Sequence, residues 1–223
     1  MKMKLFGKAL IKFTTGFLLV GALLFLPAGS FLYVNAWLFI ALLFVPMLLL
    51  GAVLLVKAPE LLEKRLNVKE TESAQKAVVA ISGLMFVIGF AVAGLDFRFG
   101  WSHVPLWVVS VAALVLLAAY ALYAEVMREN AYLSRTIEVQ DDQKVVDTGL
   151  YGIVRHPMYT ATLWLFLAIP LVLGSWWSLA CFLPYIAVIV VRIRNEEKVL
   201  EAGLHGYTEY QKRVKYRLIP FVW

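Results

Sequence analysis

The chain has 223 residues, 62% of them hydrophobic, and its mean hydropathy is +0.79. Soluble domains carry roughly 45–50% apolar residues, so a water-soluble globular protein is excluded and the surplus belongs in spanning helices of about 20 residues each. The formal net charge is +6, and the lone Cys181 sits in an apolar run, which excludes an intrachain disulfide and a cysteine-built metal site.

Hydrophobic runs predict spans near residues 9–28, 33–56, 76–95, 104–126, 158–173 and 177–193. The basic start "MKMKLFGKALIK" followed by an apolar stretch has the order of a signal peptide. A second apolar run, Phe31 to Val56, follows almost at once, which favours a retained hairpin of two spans over a cleaved leader. After Pro59, "KAPELLEKRLNVKETESAQK" reads as a short amphipathic helix with Leu61, Leu62 and Leu66 on one face, lying along the membrane surface as a connector. The last two spans are short. Sixteen residues rise only about 24 Å against a hydrocarbon core of about 30 Å, so the pair is expected to form a tight hairpin. Its turn is "GSWWS" at 174–178, with Trp176 and Trp177 at headgroup level.

On this topology 20 of the 21 Lys and Arg residues fall on one side, Arg98 being the exception. The positive-inside rule makes that side cytoplasmic and places both termini there. The basic excess then suits anionic lipid headgroups, and with no soluble module to present it, nucleic acid is not an expected partner. The expected fold is all-α: a polytopic membrane bundle of about six spans. Residues 1–56 form an N-terminal hairpin, and 57–223 a membrane domain with a cytoplasmic cofactor pocket and lid within 145–223.

The chain has no G-x-G pair and no Walker loop, so the usual nucleotide-binding designs are missing. No Lys, Arg, Asp or Glu falls in the middle of a predicted span, which argues against a proton relay or an ion-coupled transporter. The hydrophilic residues gather instead at the cytoplasmic edge, in three groups. In "GLYGIVRHPMYTA", Pro157 suits the first position of a helix, with His156 at the cap and Arg155 just outside, an arrangement favourable to an anion. In "RIRNEEKVLEAGLHGYTEY", the last span emerges into Arg192, Arg194, Glu196 and Glu197. Adjacent carboxylates point about 100° apart on a helix, so the two glutamates face different neighbours. Because the short spans form a hairpin, 155–159 and 192–197 return to the same surface. The third group is Tyr151, Tyr159, Tyr207 and Tyr210, whose ring faces attract cations such as sulfonium. Taken singly, each group also has a plain reading as a helix start, a solvated ion pair or an interfacial anchor.

"VVDTGLYGIVRHPMYTA", followed about 35 residues later by "RIRNEEKVLEAGLHGYTEYQKRVKYRLIP", resembles the isoprenylcysteine carboxyl methyltransferase family and its phospholipid N-methyltransferase relatives. The resemblance extends more weakly through "NAYLSRTIEVQDD" and "APELLEKRL", over residues 55 to 223. It implies a membrane methyltransferase that takes S-adenosylmethionine and acts on a lipid or lipidated acceptor in the bilayer. His156, Tyr159, Glu196 and Glu197 match cofactor-pocket positions, with Tyr151, Asn195 and Tyr207 flanking them. Arg155 matches an arginine near the methyl acceptor, and Arg192 joins it as the second catalytic candidate. Leu150 stands where Pro is common in the family, and Ala161 where Gly is common; both alter loop stiffness and helix packing and leave the charged positions intact. An NADPH-dependent reductase of the sterol-reductase type and a non-catalytic membrane scaffold are the rival readings.

Overall fold

A computed structural model of the protein describes residues 2–66, 73–130, 132, 133, 139 and 142–223. Its elements, in order, are α1 (Lys2–Ala28), α2 (Val34–Lys57), α3 (Pro59–Leu66), α4 (Ser73–Phe99), α5 (Leu106–Glu129), a 3₁₀ turn at Gly149–Gly152, α6 (Pro157–Val172), α7 (Trp176–Phe182), α8 (Tyr185–Gly203) and α9 (Tyr207–Arg213). In hydrocarbon every backbone polar group must be satisfied within the protein, and long apolar runs meet that demand as helices.

Among the described residues, five stretches are long and apolar enough to cross a bilayer: Lys4–Ala28, Val34–Lys57, Val78–Phe99, Leu106–Glu129 and Trp176–Gly203. Pro157–Val172 is a shorter apolar helix. This is an all-helical integral membrane protein. Large apolar side chains such as Leu18, Leu49, Leu84 and Leu114 point outward, which suits lipid contact. The returning leg of the last hairpin differs from its expected bounds. It is interrupted between α7 and α8, where Pro184 lies, and runs on to Gly203, ten residues past the predicted end. Polar residues past 193 continue the helix because the α6 end and the chain's tail supply them with partners.

One core runs through the bundle, with Leu24, Phe39, Phe90, Leu116, Ile169 and Phe182 buried in it. α5 lies along α6, α1 along α4, and α4 against α7. The α1–α4 approach is close at Gly94, where a β-carbon would stand 2.6 Å from the Leu24 carbonyl oxygen and 3.0 Å from the Ala28 nitrogen.

The end of the bundle remote from α3 is closed by a polar knot. Asp96 is buried, and its carboxylate accepts from the Ser102 amide at 2.7 Å and from the Ser102 and Ser175 hydroxyls. Ser175 in turn caps α7 by accepting from the Ser178 amide. The predicted span ended one residue before Asp96, whereas α4 continues to Phe99 because this carboxylate has buried donors waiting for it.

Replacing Gly94 by Ala therefore pushes backbone against backbone. It is expected to cost about 1–3 kcal/mol, read as a fall in melting temperature in detergent. Gly83→Ala, which meets nothing within 4 Å, is expected to leave the melting temperature nearly unchanged.

Candidate active site at the joined ends of α6 and α8

Pro157 occupies the first helical position of α6, with His156 as the residue before it. Its missing N–H is lost where no helical partner was available. The two preceding amides pair with the C-terminal strap: Arg155 N–H donates to the Tyr216 carbonyl and His156 N–H to the Arg217 carbonyl, both at 2.9 Å. Thr160, one turn into α6, donates to the Leu218 carbonyl at 2.8 Å. The strap is thus stitched to the start of α6.

Glu197, on α8, is the hub of the site. Its side chain is 5% exposed. One carboxylate oxygen takes the Arg155 guanidinium at 2.8 Å and lies 3.2 Å from His156 Nε2; the other accepts from Arg217 Nε at 2.8 Å. Arg155 also donates to the Val214 and Lys215 carbonyls at 2.8 and 2.9 Å. Three chain segments, the α6 start, the α8 end and the strap, therefore meet on one buried carboxylate.

Glu196 points elsewhere. It accepts a hydrogen bond from the Tyr159 hydroxyl, which itself accepts from Arg192 Nε at 2.9 Å. The Arg192 guanidinium lies 5.9 Å from the Tyr159 ring centre. His156 Nδ1 is 4.0 Å from Glu196.

Beside these groups lies a cleft of about 850 Å³, open mouth included. Its lining comes from His156, Met158 and Tyr159 at the start of α6, from Arg192, Glu196 and Leu200 on α8, from Leu204, Tyr207 and Tyr210 beyond it, and from Asn130 with Gln143–Val146. Gly149, at φ +57°, lets the chain turn tightly ahead of Tyr151, since a β-carbon there would collide with the Glu129 carboxylate that accepts from the Leu150 amide. Tyr151 is buried beneath this turn, its hydroxyl accepting from Asn130 at 2.9 Å and its carbonyl from the Tyr210 hydroxyl at 2.7 Å. Burial pushes the Tyr151 phenol up to about 12, with the Asn130 hydrogen bond opposing and the Glu196 and Glu129 charges reinforcing the rise.

Tyr207 is different from its neighbours. It is 4% exposed and its hydroxyl has no hydrogen-bond partner. Burial raises its pKa first and the nearby Glu197 and Glu196 charges raise it further. The phenol therefore keeps its proton and remains a donor. Buried polar atoms are nearly always satisfied, whereas this donor on the cleft lining lacks a partner that the described chain supplies.

Of the residues singled out in the sequence, Arg155, Arg192, Tyr151, His156, Tyr159, Glu196 and Tyr207 all line the cleft. Glu197 stands behind it as the hub, and Asn195, half-buried on α8, is not among the lining residues. Sequence reasoning missed Asn130, Met158 and Lys144 on the walls, and Arg217 behind them. Arg217 had a signal, since it opens the "RLIP" of the resemblance. Part of "NAYLSRTIEVQDD" and the stretch "NVKETE" lie outside the described residues.

Residues 107–205 match the family model described as phospholipid methyltransferase. The resemblance to the membrane methyltransferase family stands. The matched segment runs from α5 to just past the end of α8 and holds Arg155 through Glu197. The architecture agrees: a solved structure of the eukaryotic intramembrane Ras methyltransferase, isoprenylcysteine carboxyl methyltransferase, covers 92% of this chain and 74% of its own at a TM-score of 0.54 and 18% identity. At that identity the likeness is one of fold. Among curated relatives, a Δ(14)-sterol reductase of Mus musculus is 35% identical over 99 residues, which is 40% of this chain and 22% of the reductase. The uncharacterized protein YpbQ of Bacillus subtilis (strain 168) is 30% identical over 96 residues, 43% of this chain and 57% of that protein. The chain thus matches about a fifth of the first relative and just over half of the second.

Breaking one partner of a buried ion pair costs about 3–5 kcal/mol because the remaining charges are left uncompensated. Glu197→Gln is accordingly expected to lower the melting temperature sharply and to speed tryptic cleavage of the strap at Arg213 and Lys215. Glu196→Gln, which faces the cleft, is expected to change both much less.

Proposed function

We propose that this chain is a membrane methyltransferase that uses S-adenosylmethionine and acts on an acceptor held in the bilayer. The observation that carries the reading is the orphaned Tyr207 hydroxyl, a buried donor on the lining of a cleft that also carries the Glu196 carboxylate, held by Tyr159. The ligand would bring an acceptor for the phenol, a cation for the carboxylate and a group that tolerates ring faces. S-adenosylmethionine has all three: a carboxylate, an ammonium and a sulfonium.

The fit assigns roles. Glu196 holds the ammonium, Tyr207 donates to a ligand oxygen or nitrogen, and Tyr151, Tyr159 and Tyr210 surround the remainder. When bound, the cofactor supplies an electrophilic methyl group that needs no further activation. The chain's contribution is alignment and exclusion of water. Arg155, locked to Glu197 and to two strap carbonyls, is a positioning residue in this reading. Arg192 is the cation nearer to reacting groups, and its bond to Tyr159 keeps that hydroxyl turned toward Glu196. For a carboxylate acceptor no base is required. For an amine, the proton can pass to Glu196 or His156, both on the cleft wall. The basic side of the membrane, which holds the cleft, is taken as cytoplasmic.

The sterol reductase relative keeps one rival alive, a reductase taking NADPH. That ligand needs several cations for its phosphates, whereas of the lining cations Lys144, Arg155 and Arg192, Arg155 is committed to Glu197 and Arg192 is bonded to Tyr159, and Glu196 adds a carboxylate. Radiolabelled S-adenosylmethionine is expected to bind the purified full chain in nanodiscs and to resist competition by NADPH. Tyr207→Phe is expected to weaken that binding roughly five- to tenfold, the value of one hydrogen bond, with the melting temperature unchanged. Displacement by NADPH would favour the reductase, and binding of neither, with the fold verified, a scaffold.

A further inference from the structure

The strap, residues 214–223, finishes in a closed loop whose apolar side chains face away from the protein. The Trp223 carbonyl oxygen accepts from the Arg217 and Leu218 amides at 2.9 Å and from the Ile219 amide at 3.2 Å, and the Trp223 amide donates back to the Ile219 carbonyl at 3.1 Å. Residues 217–223 are held as one unit by these bonds. Leu218 and Trp223 face inward and pack on the apolar core of the bundle. Ile219, Pro220, Phe221 and Val222 are exposed, Phe221 to 88% and Val222 to 75%. Phe221 also stands at φ +65°, a left-handed conformation that a bulky side chain rarely adopts. The loop sustains that strain while turning an apolar ring outward.

The depth of the loop follows from α6. Thr160, one turn inside that helix, donates to the Leu218 carbonyl at 2.8 Å, so the loop lies beside the first turn of α6 and not beyond it. The 16 residues of α6 rise about 24 Å, which is about 6 Å short of a hydrocarbon core of about 30 Å. Past its far end come the exposed Trp176 and Trp177, side chains that belong at headgroup level. With that end at one boundary, the start of α6 falls short of the other, and the loop beside it lies at the depth where acyl chains meet headgroups. The exposed residues follow the same gradient: Lys212 and Lys215 come first, and residues 219–222 are all apolar. Cations that suit anionic headgroups followed by an apolar tip is the order of an interfacial anchor.

We infer that residues 219–222 are a membrane wedge, inserted among the headgroups and upper acyl chains of the bilayer, which anchors the strap there. A four-residue tip falls far short of the area that a stable protein interface needs. The anchor bears on the site because the strap carries Arg217, whose Nε is bonded to Glu197 and whose guanidinium lies 5.3 Å from the Trp223 ring centre. The loop fixes the ring, the ring lies against the guanidinium, and the guanidinium holds the carboxylate on which three chain segments meet. Lipid contact at the tip therefore helps to keep the strap on Glu197. This holds whatever the cleft binds.

The test uses the full chain, carrying Cys181→Ala, in nanodiscs of phosphatidylcholine and phosphatidylglycerol. A nitroxide is attached at Val222→Cys and, for reference, at Lys215→Cys, and its collisions with oxygen, which concentrates in hydrocarbon, are compared with those of a water-soluble nickel chelate. The label at 222 is expected to favour oxygen, and the label at 215 the chelate. In the unlabelled protein Phe221→Asn, a residue that accepts positive φ more readily, is expected to speed tryptic cleavage of the strap at Arg213 and Lys215 about tenfold, the order of one apolar side chain withdrawn from lipid. The melting temperature of the bundle is expected to stay unchanged. A label at 222 that favours the chelate puts the tip in water, and one shielded from both reagents puts it against protein, a second copy of the chain included. Either result, or cleavage of Phe221→Asn no faster than that of the wild type, would overturn the inference.

Discussion

A carboxylate at the end of a membrane helix is tolerable only if the fold brings cations to it, and Glu197 draws three chain segments together for that reason. Arg155, His156 and Arg217 reach it from the start of α6 and from the strap. Ion pairs of this kind add little net stability, since removing charges from water costs about what their attraction returns. Their contribution is specificity. No register of the strap other than the observed one would put Arg217 on the second oxygen while the Tyr216 and Arg217 carbonyls accept from Arg155 and His156.

That lock determines what is left over for a ligand. Two adjacent glutamates on a helix differ by about 100° in direction, so when Glu197 turns to the strap, Glu196 must turn to the cleft. Tyr159 then fixes Glu196, and Arg192 fixes Tyr159. The twin acids of the sequence are therefore not two copies of one function. One holds the fold around the site, and the other is held for the site. The same division separates the arginines, Arg155 and Arg217 facing the lock and Arg192 the cleft.

Much of this was legible in the sequence because it follows from local rules. Pro157 marks a helix start whatever surrounds it, apolar runs of spanning length mark helices, and a short hairpin must return its ends to one surface. The meeting of 155–159 with 192–197 needed nothing more. The division of labour between Glu196 and Glu197 was not legible, because it depends on which way α8 is rotated, and that is set by the strap. Arg217 was missed for a related reason: it is an ordinary surface cation in its own segment, and only a contact across 20 residues, to Glu197, gives it a place. Asp96 shows the same blindness at the other end. Its donors come from Ser102 and from Ser175, 79 residues away, so a pattern-based boundary stops short of it.

The two ends of the bundle use buried acids to opposite effect. Asp96 accepts only from hydroxyls and an amide, all in one compact knot beside the α6–α7 turn, and closes its end. Glu197 takes charged partners on long side chains that reach it from the start of α6 and from the strap. The cleft lies beside this lock, with Glu196 and Tyr207 both on its lining. The side chains around Glu197 and Glu196 are held by hydrogen bonds between elements of the fold. Such preorganisation is what an alignment-driven group transfer requires of a protein, since any freedom left in the walls would be lost again on the way to the transition state.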